Sequence, residues 1–202
     1  MTARAPTAPR LSTAEDLFAI PEERRRHELI EGVLAEKGAA SAEHGAAQRK
    51  LSACIDPFDR RPSGSSPGGW WFATEVEIVL DDHDVVRPDV VGWRRERVPE
   101  RPRGARVTTR PDWVCEILST NRVQDLVRKK RVYHRHGVPH YWILDPEEGM
   151  LTVHRHAPEG YLDVLSAERG ERVRAEPFEA LELDVGALFG DDEPEPPAAP
   201  AP

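Results

Sequence analysis

The order of apolar and polar residues predicts helices near the N-terminus, a strand-rich middle, one prominent helix and a second group of strands. A capping-box spacing at 12–15 predicts a short first helix. A second helix is predicted over about 41–55, with Ser41 as its N-cap and one side formed by Ala46, Ala47, Leu51 and Cys54. Between them, 27–36 predicts two short strands that meet at Gly32.

Three segments in the middle of the chain have strand patterns. Residues 70–80 alternate with a period of two, with Glu75 and Glu77 on the polar face, which predicts one continuous strand. Residues 85–93 predict another strand, in which Pro88 introduces a bend or an edge. The run 113–118 is apolar except for one carboxylate, which is typical of a strand buried on both faces.

The second half predicts a helix and then strands. The helix begins at Asn121 or Arg122 and ends at Gly137, and its predicted apolar face carries Val123, Leu126, Val127 and Tyr133. Strands are predicted at 140–145, 151–156, 161–166 and 173–176, and 180–189 closes the domain. The strand–helix–strand order over 113–145 predicts a parallel crossover, so the fold class is a mixed α/β layer fold.

Composition sets the limits of the domain and its class. Residues 1–10 and 190–202 are rich in Pro, Ala and charge, which predicts disordered tails around one domain over 11–189. The sequence has no apolar run of about 18 residues and no signal-peptide pattern, so we expect a cytoplasmic protein without a membrane partner. Two cysteines cannot form a disulfide framework or a cysteine-rich zinc site.

Charge argues against a protein that coats nucleic acid, because the net charge is −8. Two segments are nevertheless basic, 94–110 and 122–135, and they are candidates for holding phosphates or simply solvated surface. In the second segment the candidate DNA contacts are Arg122, Arg128 and Lys130. Only four of the 28 basic residues are lysines (Lys37, Lys50, Lys129 and Lys130), a weak indication that some were kept for their chemistry.

The main candidates for chemistry are two carboxylates. Glu116 stands inside the predicted buried strand, where it needs a cation, a hydrogen-bond network or a raised pKa. Asp89 follows Pro88 and precedes Val90 and Val91, which places it at the lip of a strand segment. Carboxylates that converge on a sheet can hold Mg²⁺ or Mn²⁺. The alternatives are a structural ion pair of Glu116 with an arginine and a simple turn at Asp89.

Two adjacent lysines compete for the role of the site amine. On a helical wheel Lys130 lies on the apolar side, whereas Lys129 lies at the flank, where Asp125 offers an i,i+4 surface pair. His44, near the start of the second helix, is a candidate for orienting water or phosphate, with a plain surface histidine as the alternative.

An ordered set of motifs resembles a known family. The motifs are ELIEG at 28–32, RPDVV at 87–91, PDWVCEILS at 111–119, DLVRK at 125–129 with Tyr133, GVPHYWILDP at 137–146 and LELDVGALF at 181–189. Together they resemble the Uma family of restriction endonucleases, in the PD-(D/E)-x-K nuclease-like superfamily, over about 11–189. The resemblance implies a restriction-endonuclease-like fold, with a central mixed β-sheet flanked by helices.

The resemblance also implies a site. Asp89 and Glu116 would be the metal carboxylates, with the carbonyl of Ile117, and Glu28 would complete the metal site. Lys129 matches the family's helix lysine, which overrides the wheel's preference for Lys130. The supporting residues would be His44, Asp125 and Tyr133. One departure from the superfamily pattern stands two residues after Glu116, where Leu118 replaces the usual lysine.

Three functions follow from these observations. The first is a Mg²⁺- or Mn²⁺-dependent endonuclease that hydrolyses DNA phosphodiester bonds. The second is a non-catalytic module that keeps the nuclease fold for DNA or protein binding, and the acidic charge and Leu118 favour it. The third is a metal enzyme acting on another phosphoester. Sequence specificity is left open, and so is a homodimer as the oligomeric state.

Overall fold

A computed structural model describes residues 10–64, 67–119 and 122–191. The predicted tails at 1–10 and 190–202 therefore lie almost entirely outside the described residues, as does Asn121, one of the two predicted helix starts. Within the described ranges, no helix is long and apolar enough to cross a membrane.

The centre of the fold is a six-stranded mixed sheet. With strands numbered along the chain, its spatial order is β11 (Gly160–Glu168), β10 (Met150–Ala157), β9 (His140–Asp145), β8 (Trp113–Ile117), β6 (Val90–Arg94) and β3 (Trp70–Thr74). Neighbouring strands are antiparallel except for β8 and β9, which are parallel. The mixed sheet flanked by helices confirms the predicted fold class.

A smaller sheet packs beside the first. Its order is β2 (Val33–Glu36), β1 (His27–Ile30), β5 (Val85–Val86), β4 (Glu77–Val79) and β7 (Arg106–Val107). The remaining strands, β12 (Arg172–Val173) and β13 (Leu183–Asp184), pair with each other. The two strands predicted around Gly32 are confirmed, and they pair as a hairpin whose turn uses Glu31 and Gly32, both with positive φ.

The α-helices and one π-helical turn pack against the two sheets, the first helix against the smaller one. They are α1 (Ala14–Phe18), α2 (Ala42–Ile55), a π-helical turn (Gln124–Lys129, hereafter the π turn) that continues as α3 (Lys130–Arg135), and α4 (Val185–Leu188). One apolar core joins α2 and α4 to the sheet through Trp113, Cys115 and Ile117. A second core joins α3 and the smaller sheet to the opposite face, where Val114 lies. Period-two alternation along β8 therefore turns Glu116 toward α3.

The crossover from β8 through the π turn and α3 to β9 is the predicted parallel unit. It is required because parallel neighbours cannot be joined by a tight hairpin. Gly137 follows α3 with φ of 65°, as predicted for the end of this helix.

The prediction of one continuous strand over 70–80 is wrong. The chain breaks at Glu75, which has a φ of 56°, so that β3 joins the central sheet and β4 joins the smaller one. Alternation alone gives no sign of this break, because the apolar period continues across it into a second core.

Two details of the first helices also differ from the predictions. The capping box of α1 is formed by Thr13 and Asp16, one residue later than the predicted spacing. Helix α2 begins after Ser41 as predicted, but its buried residues are His44, Ala47, Leu51 and Ile55, whereas Ala46 is exposed and Cys54 is half-buried.

The predicted apolar face of the third helix is wrong for its first turns. Val123, Leu126 and Val127 are 64%, 39% and 45% exposed, while Gln124, Asp125 and Lys129 are buried. The π turn carries more residues per turn than an α-helix, which changes the face that each position presents. The buried polar residues are stabilised because each meets other polar groups beneath the helix.

Asp84 connects the end of the crossover helix to the smaller sheet. Its buried carboxylate accepts hydrogen bonds from the backbone N–H of Glu31 and from Arg135, and it lies 3.0 Å from Nε2 of His136. Burial raises the pKa of Asp84, but the contacts with His136, Glu31 and Arg135 outweigh it and lower the pKa from 3.8 to about 2.

We expect Asp84→Asn to lower the free energy of unfolding by about 2 kcal/mol at neutral pH, because hydrogen bonds to a charged carboxylate are lost. A lowered pKa in the folded state stabilises the fold above pH 3.8, and this stabilisation disappears as the pH falls toward 2. Urea denaturation at decreasing pH should show that the difference in the free energy of unfolding between the variant and the native chain becomes smaller. Asp163→Asn, at an exposed carboxylate, is the control, and a difference that is independent of pH would contradict the assignment.

Candidate active site

A cavity of about 720 Å³ lies where β6 and β8 meet the π turn, the start of α2 and the end of β2. Most of the residues that line it are ionisable. The ionisable residues that line it are Arg26, Glu28, Glu36, Lys37, His44, Glu75, Arg87, Asp89, Glu116, Asp125 and Lys129. Concave pockets with converging titratable groups are the usual location of an active site.

Strand register brings the two predicted metal carboxylates together. Val90 of β6 pairs with Cys115 of β8, so Asp89 stands opposite Glu116 at the end of the ladder. Oδ2 of Asp89 accepts a hydrogen bond of 2.7 Å from the N–H of Ile117, which fixes the carboxylate against β8. Pro88 allows this arrangement because it ends the pairing of β5 before β6 begins.

Lys129 forms the centre of the buried charge cluster. Its Nζ lies 3.0 Å from Oε1 of Glu28, 3.0 Å from Oε2 of Glu116 and 3.3 Å from Oδ1 of Asp125. Its side chain is only 2% exposed. An ammonium has three protons, and here three carboxylates lie within ion-pair distance of it. Lys129 therefore neutralises part of a charge that could not otherwise be buried.

The carboxylates around Lys129 have further partners. The hydroxyl of Tyr133 donates to Oε1 of Glu116 over 2.5 Å. Glu28 accepts from the backbone N–H of Arg87 over 2.6 Å and from Nε2 of Gln124 over 3.0 Å. Residues from β1, β8, the π turn and α3 thus hold one network, so the positions of these carboxylates are fixed by the fold.

A second lysine, which sequence reasoning did not assign to the site, lies on the other side of Asp89. Nζ of Lys37 contacts Oδ1 of Asp89 at 2.9 Å, Oε2 of Glu75 at 2.8 Å and the carbonyl oxygen of Arg87 at 2.8 Å. Nε2 of His44 lies 3.3 Å from the same oxygen of Asp89. In the sequence, the scarcity of lysine was the only signal that pointed to Lys37. The chain has four lysines, and two of them line this cavity.

The environment shifts the two main carboxylates in opposite directions. Burial raises the pKa of Glu116 well above its usual range; the Lys129 ammonium opposes this shift and neighbouring carboxylates add to it. Burial also raises the pKa of Asp89, but contact with His44 and the ammonium of Lys37 outweigh it, so the net pKa is lowered. The contacts of Asp89 thus favour its ionised form, whereas Glu116 depends on Lys129 to offset the effect of burial.

The donor set fits a hard divalent cation. Six carboxylates (Glu28, Glu36, Glu75, Asp89, Glu116 and Asp125) line the cavity together with four lysines and arginines (Arg26, Lys37, Arg87 and Lys129), so an excess of negative charge remains. Carboxylate and carbonyl oxygens suit Mg²⁺ and Mn²⁺, and an imidazole nitrogen is also acceptable to Mn²⁺. A divalent cation bound in the cavity would neutralise this excess of negative charge.

The structure brings seven of the predicted site residues to this cavity or its wall. They are Glu28, His44, Asp89, Glu116, Asp125, Lys129 and Tyr133. Lys130 does not join them, because it contacts Asp163 on the outside of the helix, so the preference of the helical wheel for Lys130 is wrong. The predicted DNA contacts also lie outside the cavity: Arg122 pairs with Asp145 and Glu147, and Arg128 is exposed.

Comparison with known proteins gives two findings. The family model Uma2, described as "Putative restriction endonuclease", matches residues 14–186. A crystal structure described as "a putative nuclease belonging to DUF820", from Anabaena variabilis ATCC 29413, superimposes with a TM-score of 0.68 at 24% identity. The match covers 88% of this chain and 97% of the other, and it shows the fold. No curated protein sequence matches significantly.

We expect Lys129→Met to lower the free energy of unfolding by about 3–5 kcal/mol, because it leaves buried carboxylates without their shared cation. Lys130→Met is the matched control next to it, and its half-exposed pair with Asp163 should contribute less than about 1 kcal/mol. Urea denaturation of both variants measures the difference. Equal losses for the two lysines would show that Lys129 does not compensate the buried charge.

Proposed function

Because the chain belongs to the Uma2 family, we propose that it is a divalent-metal-dependent endonuclease that hydrolyses DNA phosphodiester bonds. The observation that carries the proposal is the placement of Asp89 and Glu116 on neighbouring strands of one cavity, with the buried Lys129 beside them. Family membership supports nuclease function, whereas the metal, the substrate and the residue roles are our proposal.

Asp89 and Glu116 would hold the metal ion, with Glu28 and the carbonyl of Ile117 as further ligands. All four residues line the cavity. A bound Mg²⁺ or Mn²⁺ ion polarises a phosphoryl oxygen and lowers the pKa of a coordinated water. The lowered pKa of Asp89 fits this role, because an ionised carboxylate is the better ligand.

Lys129 orients the carboxylates and adds positive charge. Its contacts hold one oxygen of Glu28 and one of Glu116 in place, and its ammonium would stabilise negative charge on a phosphate bound in the cavity. Asp125 holds the ammonium from the helix side, and Tyr133 fixes the second oxygen of Glu116. His44 lies on Asp89 and would orient a water at the cavity wall.

Basic residues around the cavity would hold the DNA backbone. Arg26 lines the cavity, and Arg128 is exposed on the π turn, where it forms no ion pair with any described residue. Arg87 also lines the cavity, but its guanidinium already lies 3.0 Å from Glu77. Arg122 and Lys130 already have acidic partners, so we expect weaker phosphate contacts from them. The acidic chain as a whole would then bind DNA through a local basic surface.

We expect Glu116→Gln and Asp89→Asn to lose at least about 100-fold in metal-dependent plasmid nicking, because each removes a ligand charge from the reacting centre. The glutamine oxygen can still accept from Lys129, and its NH2 group can donate to the hydroxyl oxygen of Tyr133, so this variant should fold. The assay compares Mg²⁺, Mn²⁺ and EDTA, and Glu159→Gln, at an exposed carboxylate away from the cavity, is the control.

Four results would contradict this proposal. Nicking by the native chain that continues in EDTA, or that survives in Glu116→Gln, would remove the carboxylates from the reaction. Intact plasmid under all conditions would instead favour the non-catalytic nuclease-fold module. Hydrolysis of a small phosphodiester with no cleavage of DNA would point to a different phosphoester substrate.

We expect Arg128→Gln to weaken binding of a DNA duplex and to reduce the slope of log affinity against log salt by about one, because one phosphate contact is lost. Arg122→Gln should change the slope less, since Asp145 and Glu147 already neutralise that side chain. Fluorescence anisotropy in the Glu116→Gln background separates binding from cleavage. An unchanged slope for Arg128→Gln would remove this residue from the DNA interface.

A further inference from the structure

Three oxygen atoms surround the ammonium of Lys37. They belong to the side chains of Asp89 and Glu75 and to the backbone carbonyl of Arg87, and all lie within 2.9 Å of Nζ. Two of these three potential metal ligands are carboxylate oxygens, and the third is a backbone carbonyl oxygen. This is the oxygen-rich environment that a hard metal ion seeks, and a protein cation occupies it.

His44 adds a nitrogen donor to the same place. The ligand atoms of His44, Glu75 and Asp89 lie within 4.8 Å of one another, which is close enough to bind one ion. His44 is buried, and its Nδ1 has no hydrogen-bond partner among the described residues. A buried imidazole whose second nitrogen is not fixed can still rotate or change tautomer toward a ligand.

The backbone conformation at Glu75 helps to form this position. The residue adopts a φ of 56° where the chain leaves β3 for the smaller sheet. The break brings the carboxylate of Glu75 to the same ammonium as Asp89. A continuous strand would instead keep the residue in the ladder of one sheet.

The other carboxylates of the cavity are engaged elsewhere. The oxygens of Glu116 contact Lys129 and Tyr133, and Oδ2 of Asp89 accepts from Ile117. Oδ1 of Asp89 is thus the oxygen that faces Lys37. The cavity thus holds two ammonium groups, that of Lys129 beside Glu116 and that of Lys37 between Asp89 and Glu75.

We propose that the Lys37 ammonium occupies a second divalent-cation position, formed by Asp89, Glu75, His44 and the carbonyl of Arg87, and takes the place of a metal ion there. The inference rests on the proposed function, because it concerns the charge around the same reacting centre. Lys37 supplies one of the two positive charges that sites with two metal ions place on opposite sides of a phosphate. The chain would then need one divalent ion, held on the side of Glu116.

The test counts bound Mn²⁺ by the loss of the free-ion signal in electron paramagnetic resonance. We expect the native chain to bind one ion and Lys37→Met to bind two, because removal of the ammonium opens the second position. Lys50→Met, at a lysine of α2 that does not line the cavity, is the matched control and should bind one. If Lys37→Met does not fold, Lys37→Gln gives the same test with a polar side chain.

A second readout identifies the ligands. The additional ion in Lys37→Met should show a magnetic coupling to an imidazole nitrogen, and Glu75→Gln or His44→Gln in that background should abolish it. Lys37→Arg keeps the positive charge and should stay at one ion. An equal number of bound ions in Lys37→Met and the native chain would overturn the inference.

The two proposals fail in different ways. The number of ions bound by the native chain reports the metal site of the proposed function, and a value of zero would contradict that site. The difference in the number of bound ions between Lys37→Met and the native chain reports the position that Lys37 occupies. A gain of one ion supports this position even if the native chain binds none. A gain without the nitrogen coupling and without dependence on Glu75 would also overturn the inference, because the new ion would be elsewhere.

Discussion

The buried ammonium of Lys129 is the interaction on which the other features of the cavity depend. Glu28, Glu116 and Asp125 are all within ion-pair distance of it, and none of these carboxylates could be buried at this depth without a cation. Three elements that are distant in sequence must therefore be held at fixed distances from one atom. The central sheet supplies Glu116, the hairpin supplies Glu28, and the crossover helix supplies both Asp125 and the ammonium.

This constraint also explains the unusual surface of the crossover helix. The helix turns polar residues inward and leaves Val123, Leu126 and Val127 in solvent, which reverses the usual amphipathic arrangement. The inward polar residues are stable only because they meet partners of opposite charge or hydrogen-bond acceptors. The lysine comes from the helix, so position 118 on the strand is available for Leu118, which packs in the second core.

Much of the fold could be predicted from the sequence, because its strands follow simple rules of alternation and burial. The pairing of β8 and β9 followed from a buried apolar strand and a helix between them, and Glu116 was visible as a carboxylate inside such a strand. The identity of the helix lysine depended on family resemblance. A helical wheel assumes that apolar residues face inward, and the π turn violates that assumption. Lys37 and Glu75 could not be placed, because their contact depends on a backbone break that alternation does not reveal.

The π turn makes the length of the crossover helix as important as its composition. A π-helical turn contains one residue more than an α-helical turn. It is therefore equivalent to a one-residue insertion in an α-helix. Each residue of an α-helix rotates the chain by about 100°, and removal of one residue from this segment would turn the start of the helix by that angle relative to Tyr133. Substitution of a surface residue here leaves this phase intact, whereas a single deletion before Lys129 would change the phase of Gln124 and Asp125 relative to the lysine. The phase of one helical turn therefore positions residues of the candidate active site.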